Sequence, residues 1–144
     1  MKKKPSLPTT PTITTAEKSR RIARLLDEKQ GEDILVLDVS GVCPIAENLI
    51  LVTGRGQRHA QSLADAVMAL AGELKLLSFG MEGYETGAWI LLDLNDVIVH
   101  VFQEDARRFY NLEGLWNEGR RVDWDVSETP DAAAVPPAAK GEGE

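Results

Sequence analysis

Residues 51–67 read LVTGRGQRHAQSLADAV: a short apolar run, a Gly-x-Gly, then apolar residues at helical spacing. Ala60, Leu63, Ala64, Val67, Leu70, Ala71 and Leu74 recur three and four apart, with Arg58, Gln61, Ser62, Asp65 and Glu73 mostly on the other side. This spacing predicts a helix over 57–74 with one stripe to bury. A strand that enters such a helix through a glycine turn commits the chain to a layered fold, because strand and helix must share an apolar interface. The same layout holds phosphate groups in many proteins, so the turn also poses the functional question.

The remaining sequence supplies the sheet. ILVLDV (34–39) and NLILVT (48–53) read as buried strands, separated by Gly41-Val42-Cys43-Pro44 and expected to lie side by side. LLSFG (76–80) is expected to be a third strand. EGYETG (82–87) is a turn with two glycines, and AWILLDL (88–94) and VIVHVF (97–102) form a hairpin across Asn95-Asp96. Ahead of them, Thr14-Thr15-Ala16-Glu17 supplies a capping box for a helix with Ile22, Leu25 and Leu26 on its apolar face and a stop at Gly31. A last helix is expected from Glu104 to Leu115, with Phe109, Leu112 and Leu115 as its apolar side. The order α-β-β-α-β-β-β-α implies an α/β fold at the α+β boundary: one domain over 14–125, with a mixed five-stranded sheet flanked by helices. Residues 1–13, rich in Pro, Thr and Lys, and 126–144, rich in Pro, Ala and acid, carry too little apolar surface to fold and are expected to be disordered.

Charge narrows the choice of partner. The net charge is −7; residues 1–15 hold three lysines, and 126–144 hold four acids and one lysine. That leaves 12 basic and 19 acidic residues in 16–125, again −7. Such a body is repelled by polyphosphate, which disfavours extensive nucleic-acid contact and favours a basic protein partner. A single cysteine, Cys43, excludes an internal disulfide and a Cys-based metal cluster. No apolar run has membrane-spanning length, and the basic start has no apolar segment behind it, so a soluble, cytoplasmic protein is expected with no membrane partner.

The candidate chemistry is thin. A dinucleotide fingerprint needs a third glycine where His59 stands, and a Walker loop needs Gly-Lys-Ser/Thr. Gly54-Arg55-Gly56 therefore reads as a turn, although Arg55 and Arg58 leave an anion conceivable there. Asp93 and Asp96 are three apart across a turn, whereas two-metal nucleotidyl transfer wants acids two apart on one strand face. Asp96 reads as a turn residue and Asp93 as a strand-end polar group. His100 lies in a strand apolar on both faces and reads as a core histidine, His59 as an exposed residue at a helix start, and Cys43 as buried packing. Arg107-Arg108 reads as a solvated helix face. No catalytic, metal or cofactor residue is assigned. Trp89 either fills core or, with Tyr84 nearby, anchors a protein interface.

Three stretches carry a family resemblance: DILVLDV (33–39), LVTGRGQRHAQSLAD (51–65) and MEGYETGAWILLDLNDVIVHVFQEDARRFYNLEGLW (81–116). Together they resemble the Iojap family, whose bacterial members are called ribosomal silencing factor RsfS. The resemblance spans roughly Thr15 to Trp116. It implies a nucleotidyltransferase-like fold without transferase activity, and binding to the large ribosomal subunit through ribosomal protein L-fourteen, which sterically blocks the small subunit and represses translation. It further implies a homodimer when free, and an interface tryptophan at Trp89 with Glu82, Gly83 and Tyr84 in the matching turn. Thr53, Gly54, Arg58, His59 and His100 also match family positions, while Gly56 departs from the expected Ser or Thr. The alternatives are a nucleotide-binding or nucleotidyl-transferring enzyme using Gly54, Asp93 and Asp96, or a large-subunit assembly factor.

Overall fold

The apolar strands are expected to bury both faces, and they do so in alternation. The structure, a computed structural model, describes residues 13–43, 45–110 and 119–124. In chain order these form α1 (Thr15–Glu28), β1 (Glu32–Asp38), β2 (Asn48–Gly54), α2 (Gln57–Glu73), β3 (Gly80–Glu82), β4 (Trp89–Asp93), β5 (Val97–Gln103), α3 (Glu104–Tyr110) and β6 (Arg120–Arg121). One mixed sheet runs β3-β4-β5-β2-β1-β6; β2 and β5 are parallel and every other neighbouring pair is antiparallel.

Period-2 geometry divides the core. Val36, Ile50, Val52, Ile90, Leu92, Val97, Val99 and Val101 join Ile22 and Leu26 of α1 and Ala60, Leu63, Ala64 and Val67 of α2. On the other face, Leu35, Leu37, Leu49, Leu51, Ile98 and Phe102 cluster with Val39, Cys43 and Ala46, and Trp89, Leu91 and Ala106 pack against them. Each fully buried Leu, Ile or Val contributes about 1.5–3 kcal/mol, so strands sealed on both faces are the stable centre of the fold.

The helix ends follow local chemistry. The Thr14 hydroxyl accepts from the Glu17 N–H at 3.0 Å, one half of the capping box, while the Glu17 carboxylate takes Arg21 at 3.2 Å. At the other end of α1, Gly31 N–H donates to Leu26 O and Gln30 N–H to Asp27 O, the paired bonds of a Schellman stop. Gln30 (φ +70°) occupies the left-handed position, not Gly31. Gly31 is required for space, since a Cβ there would meet Val52 Cγ2 at 2.6 Å.

Two expectations about the sheet need correction. It has six strands, because Arg120 and Arg121 pair with Asp38 and Leu37 on the outer edge of β1. The third strand is not 76–80 but Gly80–Glu82, paired with Leu91–Asp93, while Leu77 and Phe79 stay 51% and 63% exposed. The expected last helix is described only as Glu104–Tyr110; Leu112, Leu115, residues 1–12 of the first tail and all of 126–144 lie outside the described residues, as do the side chains of Phe109 and Tyr110.

Candidate functional site

β2 ends at Gly54, α2 begins at Gln57, and the chain between β3 and β4 turns at the same end of the sheet. The glycine turn is explained by packing. A Cβ on Gly54 would lie 3.0 Å from the Ala60 backbone, so Gly54 lets the first turn of α2 close onto β2, whereas around Gly56 there is open space. One amide of the turn is already taken: Arg55 N–H donates to His59 Nδ1 at 2.9 Å. His59 Nε2 then carries the proton and donates to Lys29 O at 2.9 Å, tying this turn to the end of α1. His59 is thus a partly buried bridge, not a free surface residue.

Asp93 and Asp96 do separate work. Asp93 accepts from the Asn95 N–H at 3.0 Å, which holds Asn95 in its left-handed turn conformation (φ +77°). Asp96 receives the buried Lys18 ammonium and the Thr15 hydroxyl, fastening α1 to the β4–β5 turn. Among the described residues no three of His, Cys, Asp and Glu gather where they could hold a metal ion. Cys43 is buried, and no described helix is long and apolar enough to cross a membrane. Arg108 is exposed and pairs with Glu104 and Asp105, as a solvated face should. Arg107 departs from that reading: it is 8% exposed, and its guanidinium donates to Asp33 O and the Thr53 hydroxyl at 2.7 and 2.8 Å.

Trp89 stands at the mouth of the second face. Its partly buried indole tilts against Phe102 (5.6 Å between centroids) and His100 (6.0 Å), and His100 stacks on Phe102. The indole N–H donates to His100 Nδ1 at 3.1 Å, which places the imidazole proton on Nε2 and requires a neutral ring. Burial pushes the His100 pKa down to about 4, from 6.5. The unfolded chain therefore takes up the proton first. This contribution to stability is complete above pH 6.5 and is lost as pH falls towards 4. At pH 5 the expected loss is about 2 kcal/mol. His100→Leu should abolish that difference in urea midpoints between pH 7 and pH 5; an undiminished slope would show that another group carries it. Asp38, held below its ordinary range by the Ser40 hydroxyl and amide, titrates below this window.

Tyr84 belongs to the other side of the sheet. It packs against the α2-side core, and its hydroxyl donates to Asp65 at 3.0 Å, a bond that raises its pKa. Trp89 and Tyr84 are therefore not one aromatic pair: the turn between them wraps the sheet end. Gly83 (φ +82°) makes that wrap possible, because a Cβ there would collide with the Trp89 carbonyl oxygen. Glu82 and Glu85 are exposed on the turn.

Residues 12–143 match the family described as "Ribosomal silencing factor during starvation". The chain belongs to this family, RsfS. It is 38% identical to the ribosomal silencing factor RsfS of Bacillus subtilis over 103 residues, covering 72% of this chain and 87% of that protein. A crystal structure of a Chromobacterium violaceum protein matches with a TM-score of 0.72 and 32% identity, over 81% of this chain and 97% of that one. More distantly, a mouse protein named "Mitochondrial assembly of ribosomal large subunit protein 1" is 24% identical over 98 residues, 66% of this chain and 43% of that protein.

In this RsfS chain, sequence reasoning missed the residues that fasten the turn. Gln57 Nε2 donates to Glu85 O at 2.8 Å, Gln61 Nε2 to Tyr84 O at 2.8 Å, and Gln103 Nε2 to Gly87 O at 2.9 Å. Their only sequence signal was position: Gln57 and Gln61 are one helical turn apart at the start of α2.

Proposed function

We propose that this RsfS chain binds the large ribosomal subunit through ribosomal protein L-fourteen and sterically keeps the small subunit away, repressing translation. The observation that carries this reading is the partly exposed Trp89 on its His100–Phe102 platform, beside a turn that presents Glu82 and Glu85. An aromatic anchor with a polar rim is the usual build of a protein interface, and the acidic chain suits a basic ribosomal protein better than rRNA phosphates. In this reading the partner-binding residues are Trp89, Tyr84, Glu82 and Gly83, with Gly83 acting through the backbone. The protein is cytoplasmic, a homodimer when free, and not an enzyme: Gly54 answers to Ala60, and Asp96 to Lys18.

Sedimentation of purified subunits with a few-fold excess of the protein tests the mechanism. Co-migration with the large subunit and loss of joined ribosomes is the expected result. Co-migration with joining intact would favour the assembly reading, which the mouse relative's name supports. Trp89→Ala should weaken large-subunit binding by about 2 kcal/mol, roughly 30-fold, while unfolding stays cooperative. A collapsed unfolding curve would place Trp89 in the core and the interface elsewhere.

A further inference from the structure

The turn at 83–88 is held from two directions by glutamine side chains. Gln57 and Gln61 rise from the first turns of α2 and donate to the carbonyls of Tyr84 and Glu85; Gln61 also reaches Glu85 O at 3.3 Å. Gln103, the last residue of β5, donates to Gly87 O, and its backbone N–H donates to Ala88 O at 3.0 Å. The fit is close as well as polar. Gly87 (φ +73°) lies so near Gln57 that a Cβ there would meet its Cγ at 2.8 Å. Within the turn, Gly87 N–H donates to Gly83 O at 3.0 Å.

Three carbonyls of one short turn thus receive side-chain amides. A turn with exposed residues at its tip would otherwise sample many conformations. Such freedom has to be given up on docking, at a cost of roughly 0.5–1.5 kcal/mol per ordered side chain and more for backbone. A side-chain amide is well matched to holding it. The group is neutral, keeps its donor at every physiological pH, and leaves the charge of the turn to Glu82 and Glu85.

We infer that Gln57, Gln61 and Gln103 are positioning residues, which hold the 83–88 turn and the backbone of Trp89 in the arrangement the ribosomal partner meets. The inference rests on the reading of Trp89 as the interface anchor. The glutamines act through the order of the turn and need not touch the partner.

The test compares wild type, Gln57→Met/Gln61→Met, Gln57→Glu/Gln61→Glu and Trp89→Ala, each as the full chain against purified large ribosomal subunits. Methionine keeps the length and helix propensity of glutamine and removes the donor. Glutamate removes the donor while adding negative charge, which on its own would strengthen attraction to a basic partner. Both double variants are expected to melt within a few degrees of wild type, to show lowered backbone order parameters at 84–87 by NMR relaxation, and to bind about 10-fold more weakly. Unchanged order at 84–87 overturns the inference, as does lowered order with wild-type affinity. If Trp89→Ala binds as wild type does, the interface reading itself fails and takes this inference with it. If Trp89→Ala loses binding while the glutamine variants keep it, only the positioning role falls.

Discussion

Gly83→Ala is expected to destabilise the protein by about 3–4 kcal/mol, and to abolish large-subunit binding in whatever fraction remains folded. Two penalties add. At φ +82° an L-residue pays about 1–2 kcal/mol for the left-handed backbone alone. The new Cβ would then overlap the Trp89 carbonyl oxygen, a backbone atom that cannot rotate away. Relief requires the turn to lift from β4, which strains the Glu82–Leu91 pairing and frees the chain that the glutamines hold. Gly72→Ala is the control: it sits inside α2, a Cβ there meets nothing within 4 Å, and alanine should stabilise by roughly 0.5–1 kcal/mol. Denaturant midpoints at unchanged m-values would report both, with opposite signs. A Gly83→Ala midpoint equal to wild type would mean the turn relaxes freely, and would remove the case for a rigid docking surface.

What was legible in the sequence is what repeats. The near-continuous apolar runs ILVLDV, NLILVT and VIVHVF marked buried strands, and the three- and four-residue spacing of α2 located its buried stripe. Legibility failed where periodicity was short. LLSFG is apolar enough for a strand, yet Leu77 and Phe79 face solvent, while the true edge strand Gly-Met-Glu has no pattern to read. β6 is two arginines, and nothing local marks them as a strand. For the proposed site, the sequence marked Trp89 and the turn glycines as candidates but carried nothing of their geometry. Which face carries Trp89 and which carries Tyr84 depends on where the helices pack, and that is decided by residues far along the chain. The same holds for the bond from Trp89 to His100 and for Arg107, whose partners Asp33 and Thr53 lie 74 and 54 positions away.

Lys18→Met is expected to cost about 3 kcal/mol, and Asp96→Asn in the same chain to return most of it. The pair spans 78 positions, with side chains 8% and 24% exposed, so it is more sheltered than a surface ion pair worth less than about 1 kcal/mol. Lys18 Nζ also donates to Leu94 O at 3.2 Å, and the Asp96 carbonyl accepts from Glu47 and Asn48 N–H at 2.9 and 3.1 Å. Asp96 therefore joins α1, the β4–β5 turn and the start of β2. Removing only the lysine leaves a sheltered carboxylate with the Thr15 hydroxyl and no cation; removing both charges leaves neutral groups that pack. A single-variant loss under about 1 kcal/mol, with no recovery in the double variant, would class the pair as peripheral. The cycle also bears on the rival enzyme reading, in which Asp96 and Asp93 bind Mg²⁺ for nucleotide chemistry. If Asp96 serves Lys18, an Asp93→Ala/Asp96→Ala chain loses stability without losing any heat of nucleotide or Mg²⁺ binding, because there was none to lose. Heat that vanishes in that chain would return the glycine turn and its aspartates to catalysis.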